Sequence, residues 1–213
     1  MTHWFTSDLH LGHESVALVH RGARSVEQHD QAIVSNLLRC LQSGDDLYVL
    51  GDLSLGRKRD IDHAVALLAP VSKRVGYKHM HLIRGNHDPK AKWATLHLAE
   101  VFSTITDSMV LQVADMPTLI LTHYPSRQVA NMVAHTGVPA GCASNAFDPK
   151  VLYSNSLTRD ETHILLYGHT HDQTPARPEW GSLDINVGVD AWAYQPVSLD
   201  HIRAHINPKG TRA

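Results

Sequence analysis

Short apolar runs rich in β-branched residues recur along the chain, and each ends in a cluster of Gly, Asp, Asn or His. Continuous apolar runs of this length are typical of buried strands. Each polar cluster is therefore predicted to lie just past the carboxyl end of a strand. The runs are HWFTSD, DLYVLGD, HMHLIRGNHD, TLILTHY, HILLYGHTH and SLDINVG.

Helical periodicity appears between the predicted strands. Ser25 begins an S-x-x-Q capping box, and an apolar face then continues until Gly44 closes the helix. A second helix is predicted from about residue 60 to 68, stopped by Pro70, and a third from about residue 90 to 102. Strands that alternate with helices predict a layered α/β fold, in which the loops at the strand carboxyl ends carry the site.

The 213 residues are predicted to form one domain, 1–213, because two independent domains of half this length would each have a small core. One long interval, 124–162, has weak periodicity and several Gly and Pro residues. Long loops without regular structure are usually functional or disordered. We interpret this interval as a candidate lid or specificity segment.

Composition places the chain among ordinary globular proteins, with 43% hydrophobic and 19% charged residues. The formal net charge of −2 gives no broad electrostatic reason to expect a nucleic-acid polymer or an anionic membrane as partner. The amino terminus lacks a secretory pattern, and no apolar run reaches the roughly 18 residues of a membrane helix. A cytoplasmic location is predicted. Cys40 and Cys142 form no CxxC, so neither a disulfide framework nor a thiolate zinc site is expected.

Histidine is unusually frequent, at 17 residues, and many histidines fall in the polar clusters. In DLH and in HTH, residues two apart on an extended chain project to the same side and can address one ion. A single cluster of this kind is more often a turn or a surface histidine. Five clusters in succession, each at the end of a strand-like run, indicate a metal site instead.

The ordered set DLH, GD, GNHD, a single H and GHTH resembles the signature of the calcineurin-like metallophosphoesterase superfamily, here of the small single-domain phosphodiesterase type. The resemblance implies an α/β fold: a four-layer α/β/β/α sandwich of two mixed β-sheets flanked by helices. It also implies two metal positions. The ligands would be Asp8, His10 and His171 for the first ion, Asn86, His123 and His169 for the second, and Asp52 as the bridge between them.

Seven oxygen and imidazole ligands without a thiolate fit two divalent metal ions such as Mn²⁺, Fe²⁺ or Zn²⁺. Two ions roughly 3.5 to 4 Å apart can lower the pKa of a shared water and clamp a phosphoryl group for in-line attack. The bridging hydroxide would be the nucleophile. His87 resembles the histidine that binds the phosphoryl group and protonates the leaving oxygen. Together with the metal ligands Asp52 and Asn86, it is an expected catalytic residue.

Departures from the family pattern bear on the substrate. Protein serine/threonine phosphatases of this family carry a second Asp where this chain has Leu55, in GDLSLGR. We therefore expect a small-molecule phosphoester substrate, above all a nucleotide or cyclic nucleotide phosphodiester. A phosphomonoesterase or nucleotidase, and a catalytically weak metal-binding scaffold of the same fold, remain alternatives. The oligomeric state is left open.

Several further residues near the predicted loops have weaker assignments. His13, Arg57, Tyr124 and Arg127 are candidates for the substrate pocket. Three others have two interpretations each. Asp88 either orients an imidazole or is a solvated loop carboxylate, and Asn186 with Gly188 either shapes the pocket floor or forms a turn at a strand end.

Overall fold

The computed structural model describes residues 1–125, 163–176 and 184–206. These residues contain nine strands and four α-helices. The strands are β1 (His3–Thr6), β2 (Asp46–Val49), β3 (Met80–Ile83), β4 (Thr104–Thr106), β5 (Met109–Leu111), β6 (Thr118–Leu121), β7 (His163–Tyr167), β8 (Asp184–Asn186) and β9 (Val197–Ser198). The helices are α1 (Val26–Cys40), α2 (Lys58–Val75), α3 (Lys92–Leu98) and α4 (Leu199–Ile206).

The strands form two mixed sheets. In the first sheet the order is β4-β3-β2-β1-β9, with β1 to β4 parallel and β9 antiparallel to β1. In the second the order is β5-β6-β7-β8, with β6, β7 and β8 parallel and β5 antiparallel to β6. Most strands of each sheet therefore deliver their carboxyl ends to one edge.

The first sheet is apolar on both faces, as expected for a buried parallel sheet. In and just after β2, Leu47 and Val49 pack with α1, α2 and α3, while Tyr48 and Leu50 pack against the second sheet. The alternation along one strand thus supplies two separate cores. Ile120, Leu165 and Tyr167 are buried as a third cluster, so β6 and β7 are covered on both faces.

The fold class predicted from the sequence is confirmed as two mixed sheets flanked by helices. All six predicted strands are present, and α1 has the predicted cap, since Ser25 Oγ accepts a hydrogen bond from the amide of Gln28 at 3.1 Å. Most of the candidate lid, from residue 126 to 162, lies outside the described residues. The assignment of 1–213 to one domain stays a prediction.

The predicted end of the second helix is wrong. Helix α2 continues through Pro70 to Val75, because Val71 and Val75 extend the buried face that Ile61 and Leu68 begin. Pro70 is on the exposed side of the helix, where the loss of one backbone hydrogen bond is more easily tolerated.

The third helix is shorter than predicted. It ends at Leu98, and Val101 and Phe102 are buried beyond its end. Strands β4, β5 and β9 were not predicted. The first two contain only half-buried residues, and β9 has only two residues. No helix within the described ranges is long and apolar enough to cross a membrane.

Candidate active site

The polar clusters follow β1, β2, β3, β6 and β7, and main-chain hydrogen bonds draw the loops together beyond the strands. The amide of Asp8 donates to the carbonyl of Gly51 at 3.0 Å, and that of His10 to the carbonyl of Asp52 at 3.0 Å. The two sheets also meet here, because Ser7 forms a parallel bridge with Gly188. The carboxyl ends of both sheets thus border one site.

Five of the predicted ligand residues have a left-handed backbone. This conformation is uncommon outside glycine and costs an L-residue about 1–2 kcal/mol. Strain of this kind persists where the surrounding structure enforces it, and it is concentrated at functional sites. The residues are Asp8 (φ 58°), His10 (47°), Asp52 (54°), His169 (73°) and His171 (52°).

Two glycines allow the loops to approach closely. Gly51 has a φ of 90°, and a Cβ there would collide with the backbone of Gly85 and lie 2.7 Å from His123 Nδ1. A Cβ on Gly168 would collide with the side chains of Ser7 and Asp8. Any larger residue would therefore push the ligand-bearing loops apart.

The first donor group consists of Asp8, His10 and His171, whose candidate ligand atoms all lie within 4.8 Å of one another. The Nε2 atoms of the two histidines are 3.1 Å apart. Burial lowers the pKa of His10 to about 2, so its ring is neutral and offers a lone pair. Asp8 is fully buried, which raises its pKa, and both its oxygens accept the amide of His169 at 3.0 and 2.9 Å.

The second donor group consists of Asp52, His123 and His169, with the amide oxygen of Asn86 beside them. Asn86 Oδ1 is 3.0 Å from His123 Nε2 and 2.8 Å from His169 Nδ1, and these two nitrogens are 3.1 Å apart. His123 Nδ1 faces the carbonyl of Leu50 at 2.8 Å. A carbonyl only accepts, so Nδ1 carries a hydrogen in either protonation state, and once the ring has lost its second proton the Nε2 lone pair points into the group.

Asp52 belongs to the second group and also faces the first. Its Oδ2 is 3.4 Å from His123 Nε2 and 3.8 Å from His10 Nε2. Burial by itself raises the pKa of Asp52, but His123 and the amide of His87 lower it to about 2. The carboxylate is therefore ionised and faces nitrogens from both groups.

The electrostatics of the site match a cation. Burial by itself lowers the pKa of His123, yet Asp52 and Asp8 raise it to about 9, so a proton is held among these groups. Imidazole nitrogens and carboxylate or amide oxygens, without a thiolate, are a donor set suited to first-row divalent ions. The residues present therefore fit the metal ions that the sequence resemblance implies.

Comparison with known proteins decides the family. The sequence pattern of the calcineurin-like phosphoesterases matches residues 1–173, most of the chain. This chain belongs to that family. Members of this family depend on divalent metal ions, and membership indicates a hydrolase that acts on phosphoesters.

The relatives of this calcineurin-like phosphoesterase include two phage proteins. The Gene 66 protein of Mycobacterium phage L5 is 28% identical, over 96% of this chain and 93% of its own length. The Gene 66 protein of Mycobacterium phage D29 is 29% identical, over 96% and 95%. A solved structure of a protein of unknown function from Aquifex aeolicus aligns with a TM-score of 0.66 and 23% identity, over 95% and 97% of the two chains. That likeness supports the fold.

In this phosphoesterase, the buried Asp88 carboxylate holds the loop after β2 through hydrogen bonds to backbone amides. Its carboxylate accepts hydrogen bonds from the amides of Asp52 at 2.8 Å, Leu53 at 3.1 Å and Gly85 at 2.8 Å. Neither interpretation made from the sequence describes this arrangement, because the carboxylate is buried and these partners are backbone amides. The cluster GNHD thus supplies Asn86 to the donor groups and Asp88 to the backbone beneath Asp52.

His87 and His13 lie beside the donor groups. The His87 side chain is 38% exposed, its Nε2 is 3.9 Å from Asp52 Oδ2, and its amide donates to Asp52 Oδ1 at 2.9 Å. The ring of His13 is 5.3 Å from that of His10 and 6.3 Å from that of His87, edge-on to both. His87 and His13 therefore lie where a bound phosphoester could contact them.

The remaining pocket candidates differ. Tyr124 packs its ring 5.1 Å from the rings of both His123 and His169, so it borders the second donor group. Arg57 caps α2 through an ion pair with Asp60 at 2.6 Å, which engages the guanidinium locally. Arg127 lies outside the described residues.

The pair Asn186 and Gly188 forms the turn that the sequence allowed as one of two interpretations. Asn186 is buried, and its Oδ1 accepts the amide of Gly188 at 2.8 Å. The turn also touches the site, because a Cβ on Gly188 would lie 2.9 Å from Asp8 Oδ2. A strand-end turn and a boundary of the site therefore coincide at these two residues.

Sequence reasoning missed two charged residues of the site, Asp190 and Arg21. Asp190 Oδ2 is 2.9 Å from His171 Nδ1 and 2.7 Å from Arg21 Nη2. Burial by itself raises the pKa of Asp190, but the hydrogen bonds from His171 and Arg21 hold it well below the ordinary value. The only sequence signal is the position of Asp190 just after Asn-x-Gly, and Arg21, 169 residues away, has none.

Proposed function

We propose that this protein is a dinuclear metal-dependent phosphodiesterase that hydrolyses small phosphodiesters, with nucleotides and cyclic nucleotides as the leading substrates. The observation that carries the proposal is the ionised Asp52 carboxylate between two adjacent donor groups. A bridging carboxylate with imidazoles on both sides is the arrangement expected of a two-ion phosphoesterase site.

In this proposal Asp8, His10 and His171 hold one divalent ion, Asn86, His123 and His169 hold the other, and Asp52 contacts both. Mn²⁺, Fe²⁺ or Zn²⁺ would supply the positive charge that a transferring phosphoryl group needs and would lower the pKa of water. Two sets of hydrogen bonds support these positions: the amide of His169 holds the Asp8 carboxylate, and the Asp88 carboxylate holds the main chain of Asp52.

His87 is the proposed proton donor to the leaving oxygen. Its ring is partly exposed and lies 5.4 Å from the ring of His10, so it is beside the donor groups and accessible to a substrate. The amide of the same residue is bonded to Asp52, which fixes the main chain from which the ring projects. A general acid needs this combination of fixed position and access to the leaving group.

A small substrate is favoured over a polymer by the net charge of −2, which provides no broad attraction for nucleic acid. His13 and Tyr124, at the border of the donor groups, are the proposed substrate contacts. We also propose a cytoplasmic location and no membrane partner.

The first test measures metal content and turnover together. The Mn²⁺-loaded protein should hydrolyse bis-p-nitrophenyl phosphate, and removal of the metals should abolish this activity. Asp52→Asn and His123→Asn should each lower kcat by at least about 100-fold and reduce the number of bound ions. The first variant loses the negative charge and one of the two carboxylate oxygens, and the second loses an imidazole ligand. His97→Asn is the matched control, because His97 pairs with Asp62 and Glu100 on the surface and should leave both quantities unchanged.

A substrate panel then separates the candidate functions. We expect the highest kcat/KM among 2′,3′- and 3′,5′-cyclic nucleotides or generic diesters. Faster hydrolysis of mononucleotides and p-nitrophenyl phosphate would indicate a phosphomonoesterase. Two bound ions without turnover of any ester would identify a metal-binding scaffold, and full activity of the metal-free protein would reject the proposal.

A further inference from the structure

Asp190 and Arg21 form a largely buried support behind His171, with 13% and 2% of their side chains exposed. The imidazole Nδ1 of His171 is 2.9 Å from Asp190 Oδ2, on the side of the ring away from the nitrogen that faces His10. Arg21 Nε donates to Asp190 Oδ1 at 2.8 Å and its Nη2 to Oδ2 at 2.7 Å. The guanidinium thus grips both oxygens of the carboxylate that contacts the histidine.

The contact determines which nitrogen of His171 is available to an ion. An ionised carboxylate accepts only, so Nδ1 carries the hydrogen and Nε2 presents its lone pair toward His10 Nε2, 3.1 Å away. A carboxylate behind a ligating imidazole also makes the imidazole a stronger donor to a metal.

Arg21 connects this support to the loop after β1. Its side chain is only 2% exposed, and in addition to Asp190 it donates to the carbonyl of Asp8 at 2.8 Å and to that of Leu9 at 3.3 Å. One guanidinium therefore fixes the backbone beside Asp8 and the carboxylate behind His171. All of these contacts lie on the side of the first donor group.

The corresponding histidine of the second group has a different support. His123 Nδ1 faces a neutral main-chain carbonyl, that of Leu50, at 2.8 Å. A carbonyl fixes the orientation of the ring without the negative charge that Asp190 brings to His171. A charged side chain therefore supports His171, whereas a neutral carbonyl supports His123. The two donor groups differ in this respect.

We propose that Asp190, held by Arg21, is a positioning residue that fixes the tautomer and donor strength of His171 and thereby sets the metal affinity of the first donor group selectively. The inference rests on the proposed function, because it assumes that both donor groups bind ions. Asp190 itself is not proposed to contact the substrate.

The test is a calorimetric titration of the metal-free protein with Mn²⁺. The wild-type protein should show two binding events. In Asp190→Asn one event should weaken by about 10- to 100-fold while the other changes little. The weakened event should be the one that His171→Asn loses, and His123→Asn should remove the other.

Asp46→Asn is the matched control. Asp46 is likewise nearly buried and contacts an imidazole, with Oδ1 2.7 Å from His79 Nδ1, but it lies at the opposite, amino-terminal end of β2. This variant loses the same charge and the same type of contact. It should bind both ions with wild-type affinity.

Asp190→Asn leaves the buried Arg21 without its carboxylate, which is destabilising, so folding must be checked by circular dichroism. Should it fail to fold, Arg21→Lys decides, because Lys keeps the charge but not the two-pronged grip. Arg21→Lys should weaken the same event by a smaller factor. Wild-type affinities for both ions in Asp190→Asn would overturn this inference alone. If Asp190→Asn does not fold, the same result in Arg21→Lys would do so. A wild-type protein that binds fewer than two ions would overturn the proposed function as well.

Discussion

His87 contributes its backbone and its side chain to the site in different ways. Its amide holds Asp52 Oδ1 at 2.9 Å, whereas its ring is 38% exposed. Any substitution of His87 except proline keeps the hydrogen bond from the main-chain amide. The side chain can therefore be removed without loss of the hydrogen bond to Asp52. This separation allows the proposed role in proton transfer to be tested apart from metal binding.

We expect His87→Asn to lower kcat by about 100- to 10,000-fold, because a positioned general acid contributes about this much to the rate. The number of bound ions should stay at the wild-type value. Steady-state kinetics and elemental analysis of the same preparation measure both quantities. Loss of the ions in this variant would show that His87 acts as a ligand, contrary to the assignment.

His123 makes metal binding dependent on pH. Burial lowers its pKa, but Asp52 and Asp8 raise it to about 9, above the ordinary 6.5. Below about pH 9 the metal-free ring is therefore protonated and must lose the proton to bind an ion. This protonated ring stabilises the metal-free fold fully below its ordinary pKa, and that contribution is lost as the pH rises to about 9.

Apparent affinity for Mn²⁺ should consequently rise as the pH increases from about 6 to 9, with about one proton released from His123 on binding near neutral pH. Titration calorimetry in buffers of different ionisation enthalpy measures this release. His123→Asn should reduce it. An affinity that is constant or falls over this range would show that metal binding does not require His123 to lose a proton.

At the scale of single residues, the sequence indicates side chains that recur in similar clusters, and it does not indicate Asp190 and Arg21, which belong to no such cluster. Asp8, His10, Asp52 and the other predicted ligands come together because each follows a strand-like run. Asp190 and Arg21 each look ordinary in the sequence, and their contact joins residues 169 positions apart. Only the packing of the two sheets brings such residues together.

At the scale of elements, the loops after the strands depend on glycine for close approach. Gly51 follows Leu50, just past β2, and its φ of 90° lies where side chains are strained. A Cβ there would also collide with Gly85 and crowd His123. Gly44 has a similar φ of 86°, but a Cβ there would meet no atom within 4 Å.

Alanine substitutions at Gly44 and Gly51 separate the cost of backbone strain from the cost of crowding. Gly44→Ala should lose about 1–2 kcal/mol of unfolding free energy from the positive φ alone. Gly51→Ala should lose a further 1–3 kcal/mol, roughly, because the site loops must move apart. Urea denaturation of the two metal-free variants measures the difference. Equal losses would show that close packing at Gly51 is unimportant.

The elements that sequence predicts best are those with apolar side chains on both faces. Strands such as β2 and β7 have this character, whereas β4 has only half-buried residues and β9 has only two residues. At Pro70 the error was a helix predicted to end too early. Proline ends many helices, but here the buried face of α2 continues to Val75. Tertiary packing, which no local pattern contains, decided these cases.

At the scale of the whole molecule, the site is a product of the contact between the two sheets. The first sheet supplies Asp8, His10, Asp52 and Asn86 through its loops, and the second supplies His123, His169 and His171. Each donor group draws ligands from both sheets. Metal binding should therefore stabilise the packed form of the entire fold, since neither sheet alone presents a complete group.

The most direct test of the dinuclear site is the anomalous scattering of Mn²⁺ in crystals of the metal-loaded protein. Two peaks are expected roughly 3.5 to 4 Å apart, one among Asp8, His10 and His171 and the other among Asn86, His123 and His169, with Asp52 contacting both. A single peak, or peaks away from Asp52, would contradict the dinuclear site.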